Sequence, residues 1–275
     1  MKNACVIGWP ISHSRSPLIH NYWLRRYRLA GTYSRVPVKA KNLERFITDL
    51  PESQYLGCNV TIPHKEQACL LVTPADENVR RLGAVNTIYR REDKLFGAST
   101  DGEGFIANLP GLNLKNKRAV VLGAGGAAKS IIGALADRGM TEIAVINRTL
   151  ERAKQLRAIF GPVVVPSAWE KRNETLAECV LLVNATALGM SGQPPLDIDL
   201  SRLPPTSFVT DIVYSPLKTP LLLDAARHGH PVAGGLGMLL HQAVGGFELW
   251  FGKRPEVTDE LYDLVARDID PDYAP

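Results

Sequence analysis

The stretch Ala119-Val-Val-Leu-Gly123-Ala-Gly125-Gly-Ala-Ala128 decides how the middle of this chain folds. Four apolar residues run into a glycine turn that matches the pattern G-x-G-x-x-A, and a second apolar run at 143–146 follows a helical stretch. Gly123 permits the tight turn, Gly125 lets the backbone approach a pyrophosphate, and Ala128 lets the helix pack closely on the strand. The stretch therefore predicts a dinucleotide-binding unit whose phosphates lie at a helix N-terminus.

The end of the second strand indicates which dinucleotide is bound. NAD sites usually carry Asp or Glu there, but this chain has Asn147, Arg148 and Thr149, with Arg152 one turn further on. A planar guanidinium suits a phosphate, whereas a carboxylate repels one. We therefore predict NADP(H). The alternative is that the arginines form a solvated helix start; Glu151 should point to another face.

The composition is that of an ordinary globular protein. The chain has 275 residues, 45% hydrophobic and 22% charged, which is enough for two domains with their own cores. Its net charge is +4 with scattered basic residues, and no apolar run reaches membrane-spanning length, so neither nucleic acid nor a membrane is an expected partner. The four cysteines show no C-x-x-C spacing, which predicts buried, reduced thiols in a cytoplasmic protein.

The first hundred residues alternate between strand and helix signals. Ser16 is a candidate N-cap with Pro17 at the first helical position, for a helix that runs to about Ala30. Pro63 is expected to open another helix, through Val72. Further strands are predicted over 32–38 and 55–62, a helix over 43–50, and a hairpin over 84–91 and 94–98.

The run Asn59-Val-Thr61-Ile-Pro-His-Lys65 is the most unusual polar segment of this first half. Asn59 and Thr61 alternate along a strand, so their side chains face the same way. Lys65 falls in the first turn of the next helix, where the positive end of the dipole favours the neutral amine. That position suits a residue that exchanges a proton, although most lysines are simply solvated.

Other polar residues stand at strand ends or before helices. Asn86 places an amide between apolar residues, where it needs a partner. Asp101 follows a hairpin strand and is either a helix N-cap or a functional carboxylate. Ser14 and Ser16 precede a helix, where closely spaced hydroxyls can hold a carboxylate, or where Ser16 simply caps the helix.

Together, and in this order, these segments resemble the shikimate dehydrogenase family over nearly the whole length of the chain. The matching segments are Pro10-Ile-Ser-His-Ser-Arg-Ser16-Pro, Asn59-Val-Thr-Ile-Pro-His-Lys65-Glu, Gly83-Ala-Val-Asn86-Thr, Thr100-Asp-Gly102, Gly123 to Ala128, Asn147-Arg-Thr149, Asn184-Ala-Thr186 and Gly235-Leu-Gly-Met-Leu-Leu-His-Gln242-Ala. One departure is Ser99, where many relatives have Asn.

The resemblance implies a role for each matching residue. Lys65 and Asp101 are the implied catalytic pair, and the implied substrate-binding residues are Ser14, Ser16, Thr61, Asn86, Asp101, Tyr214 and Gln242. The implied cofactor-binding residues are Gly123, Gly125, Gly126, Ala127, Ala128, Asn147, Arg148, Thr149, Arg152, Thr186, Ile212, Gly235 and Met238. No metal is expected, because the six histidines show no zinc-like grouping with cysteines.

We therefore predict an α/β protein with a discontinuous substrate domain, 1–101 and 238–275, and a Rossmann-type NADP-binding domain, 102–237. The active site is expected in the cleft between the domains. The implied activity is the reversible, NADPH-dependent reduction of 3-dehydroshikimate to shikimate, in aromatic amino-acid biosynthesis, by a monomer or homodimer. Three alternatives stay open: a paralogue that uses quinate or NAD, a non-catalytic NADP(H) sensor, and a folate dehydrogenase of similar architecture.

Overall fold

The computed structural model describes residues 2–109 and 111–275, and the chain divides into two compact units. Unit 1 comprises Met1–Gly104 and Leu240–Val265, and unit 2 comprises Phe105–Leu239 and Ala266–Pro275. The predicted domain junctions lie close by, after residues 101 and 237, but the last residues were expected in the substrate domain. Met1, in the segment interpreted as the first strand, and Pro110, beside the expected boundary, lie outside the described residues.

Unit 1 is an α/β unit built on one mixed sheet. Its strands are β1 (Lys2–Gly8), β2 (Gly31–Pro37), β3 (Tyr55–Val60), β4 (Thr73–Pro74), β5 (Thr87–Arg91) and β6 (Lys94–Ala98). The first helices are α1 (Ser16–Arg26), α2 (Leu43–Asp49), α3 (Lys65–Cys69), α4 (Glu77–Leu82) and α5 (Asp101–Ala107). Short 3₁₀ turns cover Ala40–Asn42 and Leu50–Glu52.

The sheet of unit 1 brings several loops to one edge. The strand order is β2-β1-β3-β5-β6-β4, with β1 parallel to β2 and β3 and with β5 antiparallel to β3 and β6. The carboxyl ends of β1, β3 and β6 and the amino end of β5 therefore meet. We call this the polar edge, formed by the residues that follow β1, β3 and β6 and precede β5. Crevices at the carboxyl ends of strands are where open α/β sheets bind ligands.

Unit 2 is a doubly wound parallel sheet. Its elements are β7 (Arg118–Leu122), α6 (Gly126–Asp137), β8 (Glu142–Asn147), α7 (Leu150–Phe160), β9 (Val164–Ala168), β10 (Leu181–Asn184), β11 (Phe208–Asp211), α8 (Pro220–Arg227) and β12 (Val232–Ala233), with 3₁₀ turns at Gly161–Val163, Trp169–Lys171, Glu174–Leu176 and Leu200–Arg202. Along the chain follow α9 (Gly235–Phe251) and α10 (Asp259–Ile269). The strand order β12-β11-β10-β7-β8-β9 is that of dinucleotide-binding sheets.

The two faces of this parallel sheet carry separate apolar clusters. Val121, Val145 and Val183 pack on one side, whereas Val120 and Leu182 pack on the other. Such continuous apolar strands are required because helices cover both faces. The predicted α/β fold class with a Rossmann-type unit is confirmed. No helix among the described residues is both long enough and apolar enough to cross a membrane.

The first helix differs from its predicted bounds at both ends. Ser16 is the first helical residue, Arg15 occupies the N-cap position without a side-chain cap, and the predicted capping by Ser16 is wrong. The helix ends at Arg26 and not near Ala30, because Arg28 adopts a left-handed conformation (φ 53°) and the Leu29 amide bonds back to the carbonyl of Leu24. This closing pattern usually uses glycine, so no residue type marks it in this chain.

The helix that carries Lys65 also starts later than expected. Residues 61–64 form a turn in which the His64 amide donates to the carbonyl of Thr61, and α3 begins at Lys65 rather than at Pro63. It ends at Cys69, not at Val72, so α3 has a single turn. A single helical turn has only a small dipole, so the dipole does little to favour the neutral amine at Lys65. The group that bonds this amine is the carboxylate of Asp101.

Candidate active site

Lys65 and Asp101 form a close ion pair at the polar edge of unit 1. The distance from Lys65 Nζ to Asp101 Oδ2 is 2.5 Å, and the two side chains are 25% and 13% exposed. Lys65 begins α3, directly after the turn that follows β3, and Asp101 begins α5 after β6. The fold thus joins residues 36 positions apart in the sequence. An ammonium group held by a carboxylate yet partly open can exchange a proton with a bound molecule.

Asn86 holds the other oxygen of this carboxylate. Its Nδ2 donates to Asp101 Oδ1 at 2.9 Å, and its Oδ1 accepts from the backbone amide of Thr100 at 2.9 Å. Asn86 is 3% exposed, so the amide meets the requirement that a buried polar group be hydrogen-bonded. Asp101 is therefore held from two sides, by Lys65 and by Asn86.

Gln242 reaches the same cluster from α9, because glycines allow the helices to approach closely. A Cβ atom at Gly104 would lie 2.5 Å from the amide nitrogen of Gln242, and one at Gly245 would lie 2.8 Å from Thr100 Cγ2. With no side chains at these two positions, Gln242 Oε1 comes within 3.4 Å of Asn86 Nδ2. The structure thus brings Lys65, Asn86, Asp101 and Gln242 together.

Ser14 and Ser16 lie side by side in the loop between β1 and α1. The Ser14 hydroxyl is 3.3 Å from the Ser16 hydroxyl, and the Ser16 amide donates to Ser14 Oγ at 3.4 Å. Arg35 of β2 fastens this loop, since its Nε and Nη2 donate to the carbonyl of Ser14 at 2.8 and 2.5 Å. Two adjacent hydroxyls beside a guanidinium make a suitable place for a carboxylate.

Thr61 stands directly after β3, next to the end of β1. Its amide donates to the carbonyl of Ile7 at 3.0 Å, and a Cβ atom at Gly8 would lie 2.6 Å from Thr61 Cγ2. Gly8 thus leaves room for the Thr61 side chain at the polar edge. The predicted residues Ser14, Ser16 and Thr61 all follow strands that end at this edge.

The glycine turn in unit 2 has the backbone that its sequence requires. Gly123 adopts φ +106°, and a Cβ atom there would lie 2.8 Å from the carbonyl oxygen of Ala185. Gly125 is the N-cap of α6 without a side-chain cap, and a Cβ atom at Gly125 or Gly126 would meet nothing within 4 Å. Gly125 and Gly126 are exposed, so nothing covers the turn at the start of α6, as a pyrophosphate site requires. Ala128 is fully buried against the sheet.

The arginines at the end of β8 are exposed. Arg148 and Arg152 make no ion pair among the residues that the structure describes, and Glu151 is 3.4 Å from Lys154. Asn147 Nδ2 donates to the carbonyl of Thr149 at 2.9 Å, which fixes the turn before α7. Two exposed guanidinium groups beyond the second strand fit the phosphate of NADP(H).

A buried network at the ends of β10 and β11 fixes Thr186. The Thr186 hydroxyl donates to Asn184 Oδ1 at 2.7 Å, and Asn184 Nδ2 donates to Asp211 Oδ1 at 3.0 Å. Asp211 also accepts from the Val213 amide and from the Thr219 hydroxyl. Burial raises the pKa of the Asp211 carboxyl, while these hydrogen bonds act in the opposite direction. The network sets the course of the segment that follows β11.

The remaining predicted residues also belong to unit 2. The Ile212 amide donates to the carbonyl of Asn184 at 3.0 Å, and Gly235 packs so closely on the Ile212 carbonyl that a Cβ atom would overlap it. Met238 is 9% exposed and joins an apolar cluster, and Tyr214 is half-buried in the segment after β11. Tyr214 is thus a residue of unit 2, whereas the other predicted substrate-binding residues belong to unit 1.

Several residues that the structure ties to these sites were not predicted from the sequence. Arg35 holds Ser14, Thr100 holds Asn86, and Tyr33 and Thr87 lie buried behind Asn86. Thr87 and Thr100 were within motifs already singled out, but Tyr33 and Arg35 lie in β2 without a local signal. Among the described residues, no group of three or more His, Cys, Asp or Glu could hold a metal ion.

The fold and these sites define the class of the chain: an α/β protein that combines a dinucleotide-binding unit with a second unit bearing a lysine–carboxylate pair. Three family models match it: "Shikimate dehydrogenase substrate binding domain" over residues 6–88, "Shikimate / quinate 5-dehydrogenase" over 106–190, and "Shikimate 5'-dehydrogenase C-terminal domain" over 235–259. The chain belongs to the shikimate dehydrogenase family, which confirms the resemblance seen in the sequence.

Individual relatives agree with this assignment. A shikimate dehydrogenase (NADP(+)) from Rhodopseudomonas palustris (strain TIE-1) is 53% identical over 272 residues, covering 98% of this chain and 97% of the relative. The crystal structure of a shikimate 5-dehydrogenase from Thermus thermophilus with NADP(H) and shikimate matches with a TM-score of 0.86 at 35% identity. The match covers 98% of this chain and 100% of that one. The structure of a quinate dehydrogenase from Corynebacterium glutamicum with NAD also matches with a TM-score of 0.86, at 28% identity. This match covers 96% of this chain and 99% of that one.

Proposed function

We propose that this chain is an NADP-dependent shikimate dehydrogenase that interconverts 3-dehydroshikimate and shikimate, a step of aromatic amino-acid biosynthesis. The observation that carries the proposal is the 2.5 Å contact between Lys65 and Asp101, in a chain whose second unit has an open glycine turn. Two curated relatives, 53% and 51% identical to this chain in sequence, carry this activity in their names. The four cysteines are buried and form no disulfide in the described part of the chain, which suits a reducing compartment, and the cytoplasm is the proposed location.

Each proposed role follows from a position at the polar edge. NADPH, when bound, supplies the hydride that reduces a ring carbonyl. Lys65 donates the proton to the carbonyl oxygen and takes it back in the reverse direction, while Asp101 holds the ammonium group in place. The Ser14 and Ser16 hydroxyls receive the substrate carboxylate, and Thr61, Asn86 and Gln242 face its ring hydroxyls, with Tyr214 of unit 2 as a further substrate-binding residue.

The residues of unit 2 fit the proposed cofactor. The amide groups at the start of α6 take the pyrophosphate, and Arg148 and Arg152 take the ribose phosphate that distinguishes NADP from NAD. Asn147, Thr149, Thr186, Ile212, Gly235 and Met238 complete the proposed cofactor-binding set. The similarity to a quinate dehydrogenase with bound NAD leaves a second candidate, a quinate or NAD-preferring enzyme, which differs in both substrate and cofactor.

A steady-state assay at 340 nm tests both the choice of substrate and the choice of cofactor. The purified protein is given shikimate or quinate with NADP or NAD, and kcat/KM is compared for the four pairs. We expect shikimate with NADP to be preferred. In the double variant Arg148→Ala/Arg152→Ala, kcat/KM for NADP should fall roughly tenfold to a hundredfold, while that for NAD changes little, because only NADP loses charged hydrogen bonds. Equal or better use of quinate would overturn the substrate assignment.

A matched control separates the arginine effect from a change in net charge. Arg45→Ala/Arg267→Ala removes two positive charges from other exposed positions and should leave the preference for NADP unaltered. If the control lowers kcat/KM for NADP as much as the Arg148/Arg152 variant does, the assignment of the ribose-phosphate site is wrong.

A further inference from the structure

We infer that Thr87 is a positioning residue for the proton-transfer pair: its buried hydroxyl fixes the Asn86 amide, which in turn holds the Asp101 carboxylate toward Lys65. The inference rests on the proposed function, because it assigns a task within that reaction. Thr87 is fully buried at the start of β5, and among the described residues its hydroxyl bonds Asn59 and Asn86 and neither Lys65 nor Asp101. Its influence must therefore pass through Asn86.

The register of the sheet places the Thr87 hydroxyl between two amides. Thr87 pairs with Asn59 of β3 and with Ala98 of β6. Its Oγ1 accepts from Asn59 Nδ2 at 3.1 Å and donates to Asn86 Oδ1 at 3.0 Å. The hydroxyl is thus both an acceptor and a donor, which is its ordinary hydrogen-bonding capacity.

The direction of these bonds follows from the partners of Asn59. The Tyr33 hydroxyl donates to Asn59 Oδ1 at 2.6 Å, and Asn59 Nδ2 donates to the carbonyl of Asn86 at 3.0 Å. A backbone carbonyl only accepts, so the amino end of Asn59 faces Asn86 and Thr87. The proton of the Thr87 hydroxyl is then directed to Asn86 Oδ1.

The orientation of the Asn86 amide carries this direction on to the ion pair. With its oxygen facing the donors Thr87 and Thr100, the Asn86 amide presents its amino end to Asp101 Oδ1 at 2.9 Å. If this amide turned over, its oxygen would face the carboxylate and repel it. We call the run from Tyr33 through Asn59, Thr87 and Asn86 to Asp101 the buried hydrogen-bond series.

Every bond in the series points the same way, from donor to acceptor, and ends on the carboxylate that accepts from Lys65. Hydrogen bonds aligned head to tail in a buried site polarise and strengthen one another. The series therefore holds Asp101 at a defined orientation without adding a charge. Lys65 in turn keeps its amine toward the position at which the proton is exchanged.

The variants Thr87→Val and Thr87→Ser test the hydroxyl directly. Valine keeps the shape and removes the hydroxyl, whereas serine keeps the hydroxyl and removes a methyl group. For Thr87→Val we expect kcat with shikimate and NADP to fall about tenfold, the scale of one buried hydrogen bond. KM for shikimate should change less than kcat, and the pH profile of kcat/KM should move by about half a unit. Serine should restore both readouts.

Tyr33→Phe provides a second break in the series, should Thr87→Val fold poorly. It removes the donor to Asn59 Oδ1, two bonds further from the carboxylate, and should shift kcat and the pH profile in the same direction by a smaller factor. Thermal unfolding and NADP binding of each variant are measured alongside, since a purely structural role would change stability but leave the pH profile alone.

The outcomes separate this inference from the proposed function. If the unaltered protein does not oxidise shikimate with NADP, the proposed function fails and the inference fails with it. If it does, and folded Thr87→Val keeps the parental kcat and pH profile, only the inference is overturned. Equal losses in the valine and serine variants would also overturn it, because the methyl group and not the hydroxyl would then be responsible.

Discussion

The polar residues of the two units are arranged in opposite ways. In unit 1, Lys65, Asn86 and Asp101 direct their hydrogen bonds to one another and are held by buried neighbours. In unit 2, the turn residues Gly125 and Gly126 face open space. A group that moves a proton must be held in one orientation, whereas a site for phosphate must keep its backbone donors free. The difference is the one that the proposed proton transfer in unit 1 and the proposed phosphate binding in unit 2 require.

Lys65→Ala should produce the largest effect, because it removes the proposed proton donor itself. We expect kcat to fall by about a hundredfold or more, the scale of general acid–base catalysis, while NADP binding, measured by fluorescence titration, stays within about twofold. Lys94→Ala on the exposed end of β6 is the matched control and should be indistinguishable from the parent. A Lys65→Ala enzyme that retains a substantial part of the parental kcat would assign the proton transfer elsewhere and favour a non-catalytic role for this lysine.

The glycine turn offers a sharper test of the contrast, since two neighbouring glycines should respond differently to alanine. Gly123→Ala should lower the free energy of unfolding by about 1–3 kcal/mol, because alanine is strained at φ +106° and its Cβ would approach the Ala185 carbonyl. Gly125→Ala should leave stability within about 0.5 kcal/mol, since nothing lies within 4 Å, yet weaken NADP binding by occupying the pyrophosphate position.

Urea unfolding and cofactor titration of both variants measure these two effects separately. Similar stability losses in Gly123→Ala and Gly125→Ala would contradict the account of the turn. If a stable Gly125→Ala protein binds NADP with unchanged affinity, the pyrophosphate does not bind at this position.

An effect that appears only at low pH is expected for His20, which is fully buried behind the polar edge. Its ring stacks on Tyr33 at 4.1 Å, and burial lowers the pKa of the imidazole to about 3. In the unfolded chain His20 takes up a proton below about pH 6.5, whereas in the folded protein it stays neutral until about pH 3. The folded state therefore loses stability as the pH falls through this window.

His20→Phe keeps an aromatic ring and removes the titration. Urea unfolding is measured at pH 7 and at pH 5. Between these two pH values, the free energy of unfolding of the parent should fall by about 2 kcal/mol more than that of the variant. The same pH dependence in both proteins would show that His20 is not the group responsible.

Local sequence was sufficient for the dinucleotide site because every requirement lies within a few residues. Gly123, Gly125 and Ala128 stand in one strand–turn–helix segment, and the expected backbone is present. The predicted end of α1 was wrong because no characteristic residue marks it. Arg28 ends the helix in a left-handed conformation, at a position that usually carries glycine. The late start of α3 likewise followed from a turn at 61–64 that the sequence does not signal.

The position of Lys65 at a helix start already marked it as a candidate for proton exchange, but its pairing with Asp101 was expected only from family resemblance. The buried hydrogen-bond series was not predicted at all. Asn59 comes to lie beside Asn86 and Thr87 because β5 runs antiparallel to β3, a pairing that neither strand specifies by itself. Tyr33 joins them from β2, on the far side of β1.

The sequence by itself determined the alternation of strands and helices, the glycine turn and the arginines after β8, since these depend on contiguous residues and on the periodicity of apolar side chains. Only the tertiary structure decided which way the amide of Asn86 faces and which oxygen of Asp101 meets Lys65. Hydrogen-bond direction is a property of partners drawn from different strands, and a buried donor or acceptor takes whichever partner the fold supplies.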